Sequence, residues 1–226
     1  MPNYIKTKLA DITKNSKNVT ELEFLLDVLP PLSENGPWIA GGSLLRTYLN
    51  LGLTTDIDIF FRDEPQYKDY INKLDAIAAK NGKSPINNLF KVEKMDHAEW
   101  HITYSIVFRN KNYKLQLIHK KFFTSVCNLL DSFDLNICQI GFDGTHLFHA
   151  ENCITDIDNK EIKIETVNIP QVVLKRLLKY SSLGFKISDK EIHSFFYKCS
   201  KLPNFNSLVD PKNLTTIQKS SYEGIE

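Results

Sequence analysis

The chain has almost no charge imbalance to offer a polyanionic partner: 28 Lys+Arg stand against 27 Asp+Glu, a formal net charge of +1. A bulk electrostatic case for nucleic acid is thereby excluded, and any such affinity must come from a local patch. No two of the four cysteines (Cys127, Cys138, Cys153, Cys199) form a C-x-x-C pair. That removes the usual thiolate zinc spacing, and nothing suggests the disulfide framework of a secreted domain. The opening Met1-Pro2-Asn3-Tyr4 lacks an apolar signal core. No apolar run approaches the length of a membrane span, so no membrane partner is expected. A soluble protein of a reducing cytoplasm is the expectation. Repeats, low-complexity tracts and obvious flexible linkers are missing as well. What is present is apolar material for a core: 42% hydrophobic and 11% aromatic residues over 226 positions. That suffices for one generous domain, or for a domain with a smaller appendage.

Thr20 to Leu29 reads as a helix, with Thr20 and Glu23 in a capping-box pattern and Leu22, Leu25, Leu26 and Leu29 forming one apolar stripe. Pro30-Pro31 ends it. Trp38-Ile39-Ala40 reads as a short strand running into Gly41-Gly42, followed by a helix with Leu44, Leu45, Tyr48 and Leu49 on one face. A strand is expected over Asp56–Phe61 and a helix over Tyr67–Lys80, then three β-rich stretches near Leu89–Met95, Trp100–Arg109 and Tyr113–His119. Asn110-Lys111-Asn112 suits a hairpin turn between the last two. A helix near Phe123–Leu130 and a strand over Phe133–Gly141 follow, and Phe142-Asp143-Gly144-Thr145 reads as a turn. Pro170 suits the first turn of a helix running to about Leu183, and Ser188 with Glu191 opens another that carries Ile192, Phe195, Phe196 and Cys199. The fold class expected is α+β. A mixed sheet with helices packed on it would span residues 1–168, with a small helical appendage and polar tail over 169–226.

The chemistry concentrates between Trp38 and Phe61. Two glycines between a strand and a helix let the backbone approach a ligand closely, and exposed N–H groups at the helix start attract phosphate. Ser43 can cap that helix or offer its hydroxyl to a phosphate oxygen. Asp56 and Asp58 lie two apart on a strand, so both carboxylates leave one face while Ile57, Ile59 and Phe61 enter the core. Two adjacent carboxylates repel, and a divalent cation removes the problem; Mg²⁺ (or Mn²⁺) takes a few carboxylates plus substrate phosphates. A Gly-Gly pair or an Asp-x-Asp alone says little, but their order here is specific. Thr155-Asp156-Ile157-Asp158 repeats the letters of Thr55–Asp58 without a glycine turn before it, and reads as a surface turn.

This segment resembles the polymerase-β-like nucleotidyltransferase superfamily, and within it CCA-adding enzymes and poly(A) polymerases, where a Gly-Gly turn and helix precede Asp-x-Asp. The similarity is clear over about 25 residues. It implies a nucleoside triphosphate and Mg²⁺ as substrates, with a nucleoside monophosphate transferred to a hydroxyl of an RNA 3′ end, a protein side chain or a small molecule, the RNA end being favoured, and pyrophosphate leaving. Gly41, Gly42, Ser43 and Arg46 would then meet the nucleotide. Arg176-Leu-Leu-Lys-Tyr-Ser-Ser-Leu-Gly-Phe-Lys-Ile187 is similar to the basic helix after the catalytic domain of CCA-adding enzymes, one residue shorter. It implies Lys175, Arg176 and Lys179 near the triphosphate or an RNA end; an amphipathic surface helix explains it equally.

The pattern also departs from the family. The third carboxylate expected on a neighbouring strand is missing, because Tyr113–His119 carries Gln116 in its place. The nearest replacement is Asp134, expected to open the strand Phe133–Gly141 and to share the metal with Asp56 and Asp58. Similar Gln-Leu-Ile and Phe-Asp-x-x-x-Cys strings occur in uncharacterised viral and phage proteins with nucleotidyltransferase signatures. The basic-acidic pair after the glycines is reduced to Arg46-Thr47. These departures keep open a degenerate homologue that binds nucleotide or a partner without chemistry, and beyond it a purely structural protein. His97-Ala-Glu-Trp-His101 lacks the Glu placement of a zinc-protease helix, and His146 and His149, read as flanking a turn, lack companion ligands. Phe122-Phe123 and Phe195-Phe196 read as core.

Overall fold

Among the described residues eight strands form one mixed sheet in the order β1-β8-β7-β2-β3-β6-β5-β4. These are β1 (Tyr4–Lys8), β2 (Trp38–Ala40), β3 (Ile57–Phe60), β4 (Phe90–His97), β5 (His101–Phe108), β6 (Lys111–Ile118), β7 (Ile140–Phe142) and β8 (His146–Ala150). A computed structural model describes residues 3–8, 17–53, 56–81, 90–108 and 111–203. Every named strand pair in the sheet is antiparallel except β3 with β6, which run parallel with Asp58 opposite Gln116. A two-stranded parallel sheet pairs β9 (Glu161–Ile162) with β10 (Lys186–Ile187). The helices are α1 (Lys17–Val28), α2 (Gly42–Tyr48), α3 (Glu64–Asn81), α4 (Val126–Leu130), α5 (Cys153–Asp158), α6 (Pro170–Ser181) and α7 (Asp189–Ser200). The fold is α+β, as the sequence pattern implies. No helix among the described residues is long and apolar enough to cross a membrane.

The central strands obey the period-two rule. Ile57, Ile59 and Phe61 are buried in the main core with Leu115 and Leu117 of β6, while Asp56, Asp58 and Phe60 leave the other face. Leu22 and Leu25 of α1, with Leu29 just after it, pack into the same core. The β7–β8 turn is held by Asp143, whose Oδ1 accepts from the N–H groups of Thr145 at 2.8 Å and His146 at 2.6 Å.

Several expectations change. α1 begins at Lys17, so Thr20 lies inside the helix rather than at its cap. Of the turn expected at Asn110-Lys111-Asn112, Lys111 and Asn112 belong to β6, while 109–110 and the tail from 204 lie outside the described residues. His146 and His149 both belong to β8 rather than flanking a turn. Thr155–Asp158 is no surface turn but the end of α5, with Asp156 buried between Asn136 Nδ2 at 2.8 Å and Lys163 Nζ at 2.7 Å. The Ser188 cap forms, accepting from Glu191 N at 3.3 Å, but the Glu191 carboxylate turns to Ile164 N instead of closing the box. Phe196 is 62% exposed and so is not core.

The largest correction concerns Phe133–Gly141. Only Ile140–Phe142 is strand; Asn136–Cys138 is a single 3-10 turn. Instead of pairing beside β3, this stretch meets 163–166: Leu135 bridges Ile164, Glu165 N donates to Asp134 O, and Lys163 N donates to Asn136 Oδ1 at 2.7 Å. A side-chain amide that takes backbone partners competes with the ladder, and here it bends the chain out of the extended form. The alternation is lost with it, since Asp134 through Cys138 are all buried.

Candidate active site

β2 enters the site and Gly41 turns the chain out of it. Its φ of 87° is left-handed, and a Cβ there would lie 2.8 Å from Phe133 Cε1. Gly42 opens α2, where an added Cβ would lie 3.3 Å from Tyr180 Oη. Ser43 makes no side-chain cap; its Oγ is buried and finds no hydrogen-bond partner among the described residues. Arg46 turns away into structure, donating to the carbonyls of Leu51 at 3.0 Å and Gly52 at 3.2 Å. It closes the loop after its own helix, which leaves the nucleotide contact expected of it without support.

Across β2 lies β3, with Asp56 and Asp58 on the face opposite the core. Burial lifts the Asp58 carboxyl to about 7, and the Asp56 charge adds to the rise, while Arg176 and Lys179 draw it back down. These two cations of α6 therefore face the carboxylate pair electrostatically; Lys175 is exposed on the same helix. Gln116, across the parallel β3–β6 ladder, donates Nε2–H to Asp56 Oδ2 at 3.0 Å.

Asp134 does not complete a three-carboxylate set. Among the described residues no three His, Cys, Asp or Glu side chains group to hold a metal. The Asp134 Oδ2 instead accepts from Arg176 Nη1 at 2.6 Å. Burial opposes the Arg176 charge, but Asp134 more than offsets it, so the guanidinium is held above its ordinary range. The bend at Asn136 is the physical reason, since it carries Asp134 to α6 rather than along β3.

The oxygen donors still suit Mg²⁺, which binds through one or two carboxylates plus substrate phosphates. Asp56 and Asp58 are such a pair; burial raises the Asp58 carboxyl first and the Asp56 charge adds to it, a repulsion that a bound cation would relieve. The Gln116 amide can orient Asp56 or lend its carbonyl. Two further residues at the site escaped the sequence reading. Tyr180, whose Oη accepts from Cys138 Sγ at 3.2 Å, sits four residues after Arg176, a spacing that puts both on one helix face. Trp100 lies inside the His97–His101 string and lines a cavity with Asp134 and Arg176; nothing in its local pattern signals this.

A family model described as Gabija anti-defense 2 family protein matches residues 4–160. The curated protein Gabija anti-defense 2 of Bacillus phage SPbetaL7 is 25% identical over 179 residues, which cover 78% of this chain and 40% of that protein. Solved structures of a CCA-adding enzyme superpose over 82% of this chain and 44% of theirs. The complex with ATP gives a TM-score of 0.55 at 16% identity, the apo form 0.54 at 14%, and the complex with CTP 0.52 at 14%. At such identities the likeness establishes a nucleotidyltransferase-like fold. The chain spans less than half the length of these relatives.

Proposed function

The chain belongs to the Gabija anti-defense 2 family, and from that premise we propose that it is a metal-dependent nucleotidyltransferase. It moves a nucleoside monophosphate from an NTP to a hydroxyl acceptor and releases pyrophosphate. The observation that carries this reading is the pairing of Asp56 and Asp58 on one face of β3, beside the Gly41-Gly42 turn and within reach of the Arg176 and Lys179 charges.

In this reading Asp56 and Asp58 hold Mg²⁺, which when bound neutralises phosphate charge and makes the acceptor hydroxyl more acidic. Gly41 and Gly42 admit the triphosphate at backbone distance, and the Ser43 Oγ, which has no partner among the described residues, meets a phosphate oxygen. Arg176 and Lys179 offset the charge that develops on departing pyrophosphate, with Lys175 at the outer edge. Asp134 acts through Arg176, holding its guanidinium at 2.6 Å, rather than as a ligand. The family description and the phage relative suggest the setting, an anti-defence protein directed against Gabija. An RNA 3′ end and a protein hydroxyl are the two acceptors to compare.

The test incubates protein, Mg²⁺ and α-labelled NTPs with RNA and with protein acceptors. Label transfer that stops with EDTA and with the double variant Asp56→Ala/Asp58→Ala is the expected result. Transfer that survives the double variant refutes the reading. A second reading is favoured by Gln116, an amide at the position of the expected third acid: a protein that binds NTP and Mg²⁺ without chemistry. Mg²⁺-dependent NTP binding with no pyrophosphate released across both acceptor classes would establish it.

A further inference from the structure

Two divalent ions that act on one phosphoryl group lie about 3.5–4 Å apart, close enough to need carboxylates shared between them. Each Mg²⁺ takes one or two carboxylates besides phosphate oxygens and water. Asp56 and Asp58 leave one face at β3 as a pair. Among the described residues no third His, Cys, Asp or Glu joins them in a metal-holding group. Asp134 is engaged elsewhere, accepting from Arg176 Nη1 at 2.6 Å.

What stands beside the pair is an amide. Gln116 lies opposite Asp58 in the parallel β3–β6 ladder, and its Nε2–H donates to Asp56 Oδ2 at 3.0 Å. Leu115 and Leu117 on either side of it enter the core, so Gln116 leaves the face that carries the acids. It is 9% exposed, which leaves the amide little room to swing into solvent. Its orientation follows from chemistry: turned over, Oε1 would meet Asp56 Oδ2, acceptor against acceptor. A cation arriving from β6 would therefore face N–H hydrogens where it needs an oxygen. From the side of α6, Arg176 and Lys179 already act on Asp58 with positive charge. A second dication would add to that charge with no further acid to share.

We propose that the site holds one divalent ion with its nucleoside triphosphate, and that the Gln116 amide takes the place of a second. Asp56 and Asp58 are the protein's ligands to that ion, and phosphate oxygens with water complete its shell. Gln116 is a positioning residue, which fixes Asp56 through Oδ2 and keeps a further cation out. The inference rests on the nucleotidyltransferase reading above, and it separates this chain from sites that clamp the phosphoryl group between two ions. A carboxylate at position 116 would supply the missing acid from the same point on β6.

The test counts Mn²⁺ bound per chain at saturation by equilibrium dialysis, as the excess on the protein side. The α,β-methylene analogues of ATP, CTP, GTP and UTP are each present in turn. The unsubstituted protein should bind one Mn²⁺ with the analogue it accepts, and Gln116→Glu should raise the count to two. Gln116→Asp offers the acid on a shorter arm and replaces the glutamate variant if that loses its folded circular dichroism. Two ions on the unsubstituted protein overturn the inference and leave the nucleotidyltransferase reading standing. A count that stays at one in a folded acidic variant also overturns it, since Gln116 would then serve the fold alone. No Mn²⁺ bound with any of the four analogues overturns both.

Discussion

Gln116 donates its side-chain N–H to the Asp56 carboxylate at 3.0 Å, from the position on β6 that lies opposite Asp58 in the ladder. An amide there relieves the repulsion that a third carboxylate would add. Gln116→Glu should therefore lower the melting temperature in EDTA, by roughly 1–2 kcal/mol of stability. It should also tighten Mg²⁺ binding by about tenfold, or ~1.4 kcal/mol. Thermal melts with and without Mg²⁺ read both effects. A variant that melts like the parent under both conditions would detach Gln116 from the metal site.

Asp58 gives the pH dependence. Burial and the Asp56 charge raise its carboxyl from 3.8 to about 7, so between these values the folded state holds a proton that the unfolded state releases. The contribution of Asp58 to stability is present below about pH 4 and is lost as pH rises through 7. The full shift corresponds to at most about 4 kcal/mol. Asp58→Asn should make the metal-free protein more stable than the parent at pH 8, with little difference at pH 4.5. Mg²⁺ should reverse the order at pH 8, because only the parent binds it. Urea titrations at the two pH values, with EDTA or Mg²⁺, measure this.

The part of the site legible in the sequence is the part built from local pattern. Ile57, Ile59 and Phe61 alternate with Asp56, Asp58 and Phe60, and β3 carries out that alternation with the acids on one face. Gly41 marks a turn that only a residue tolerant of positive φ can make without strain. The mixed α+β class followed from strands and helices that each show a clear period. Phe133–Ile137 alternates just as plainly, yet its partners are not β3 but the backbone at 163–166, and the Asn136 amide decides the outcome. No window on either segment records that pairing. The Asp134–Arg176 ion pair joins residues 42 apart and was invisible for the same reason. Arg46 looked like a phosphate ligand by position, but the carbonyls of Leu51 and Gly52 follow it so closely that it is consumed locally.

Gly41→Ala tests the turn. The substituted residue would hold a φ of 87° with its Cβ 2.8 Å from an aromatic carbon of Phe133. Strain of about 1–3 kcal/mol is expected, together with displacement of the Phe133 ring from Phe60, now 6.0 Å away centroid to centroid. Stability measured by denaturant should fall by that amount, and Mg²⁺-dependent NTP binding should weaken. Unchanged stability would contradict the geometry assigned to the turn.

Arg176→Met removes the partner of a buried acid. Asp134 is then left uncompensated, which should cost roughly 2–4 kcal/mol, somewhat below a fully enclosed pair because the Arg176 side chain is 31% exposed. The double variant Arg176→Met/Asp134→Asn should recover a large part of that loss. A double-variant cycle on unfolding free energy gives the coupling directly, and strict additivity would mean that the 2.6 Å contact contributes nothing.

The central claim is that Asp56 and Asp58 hold a divalent ion against a nucleoside triphosphate. Crystals soaked with Mn²⁺ and a non-hydrolysable NTP test it most directly, through the anomalous signal of the ion. The account predicts a Mn²⁺ peak within about 2.5 Å of carboxylate oxygens of both residues, with the triphosphate lying along Gly41, Gly42 and Ser43. A triphosphate bound elsewhere, or an ion that touches neither Asp56 nor Asp58, would contradict it.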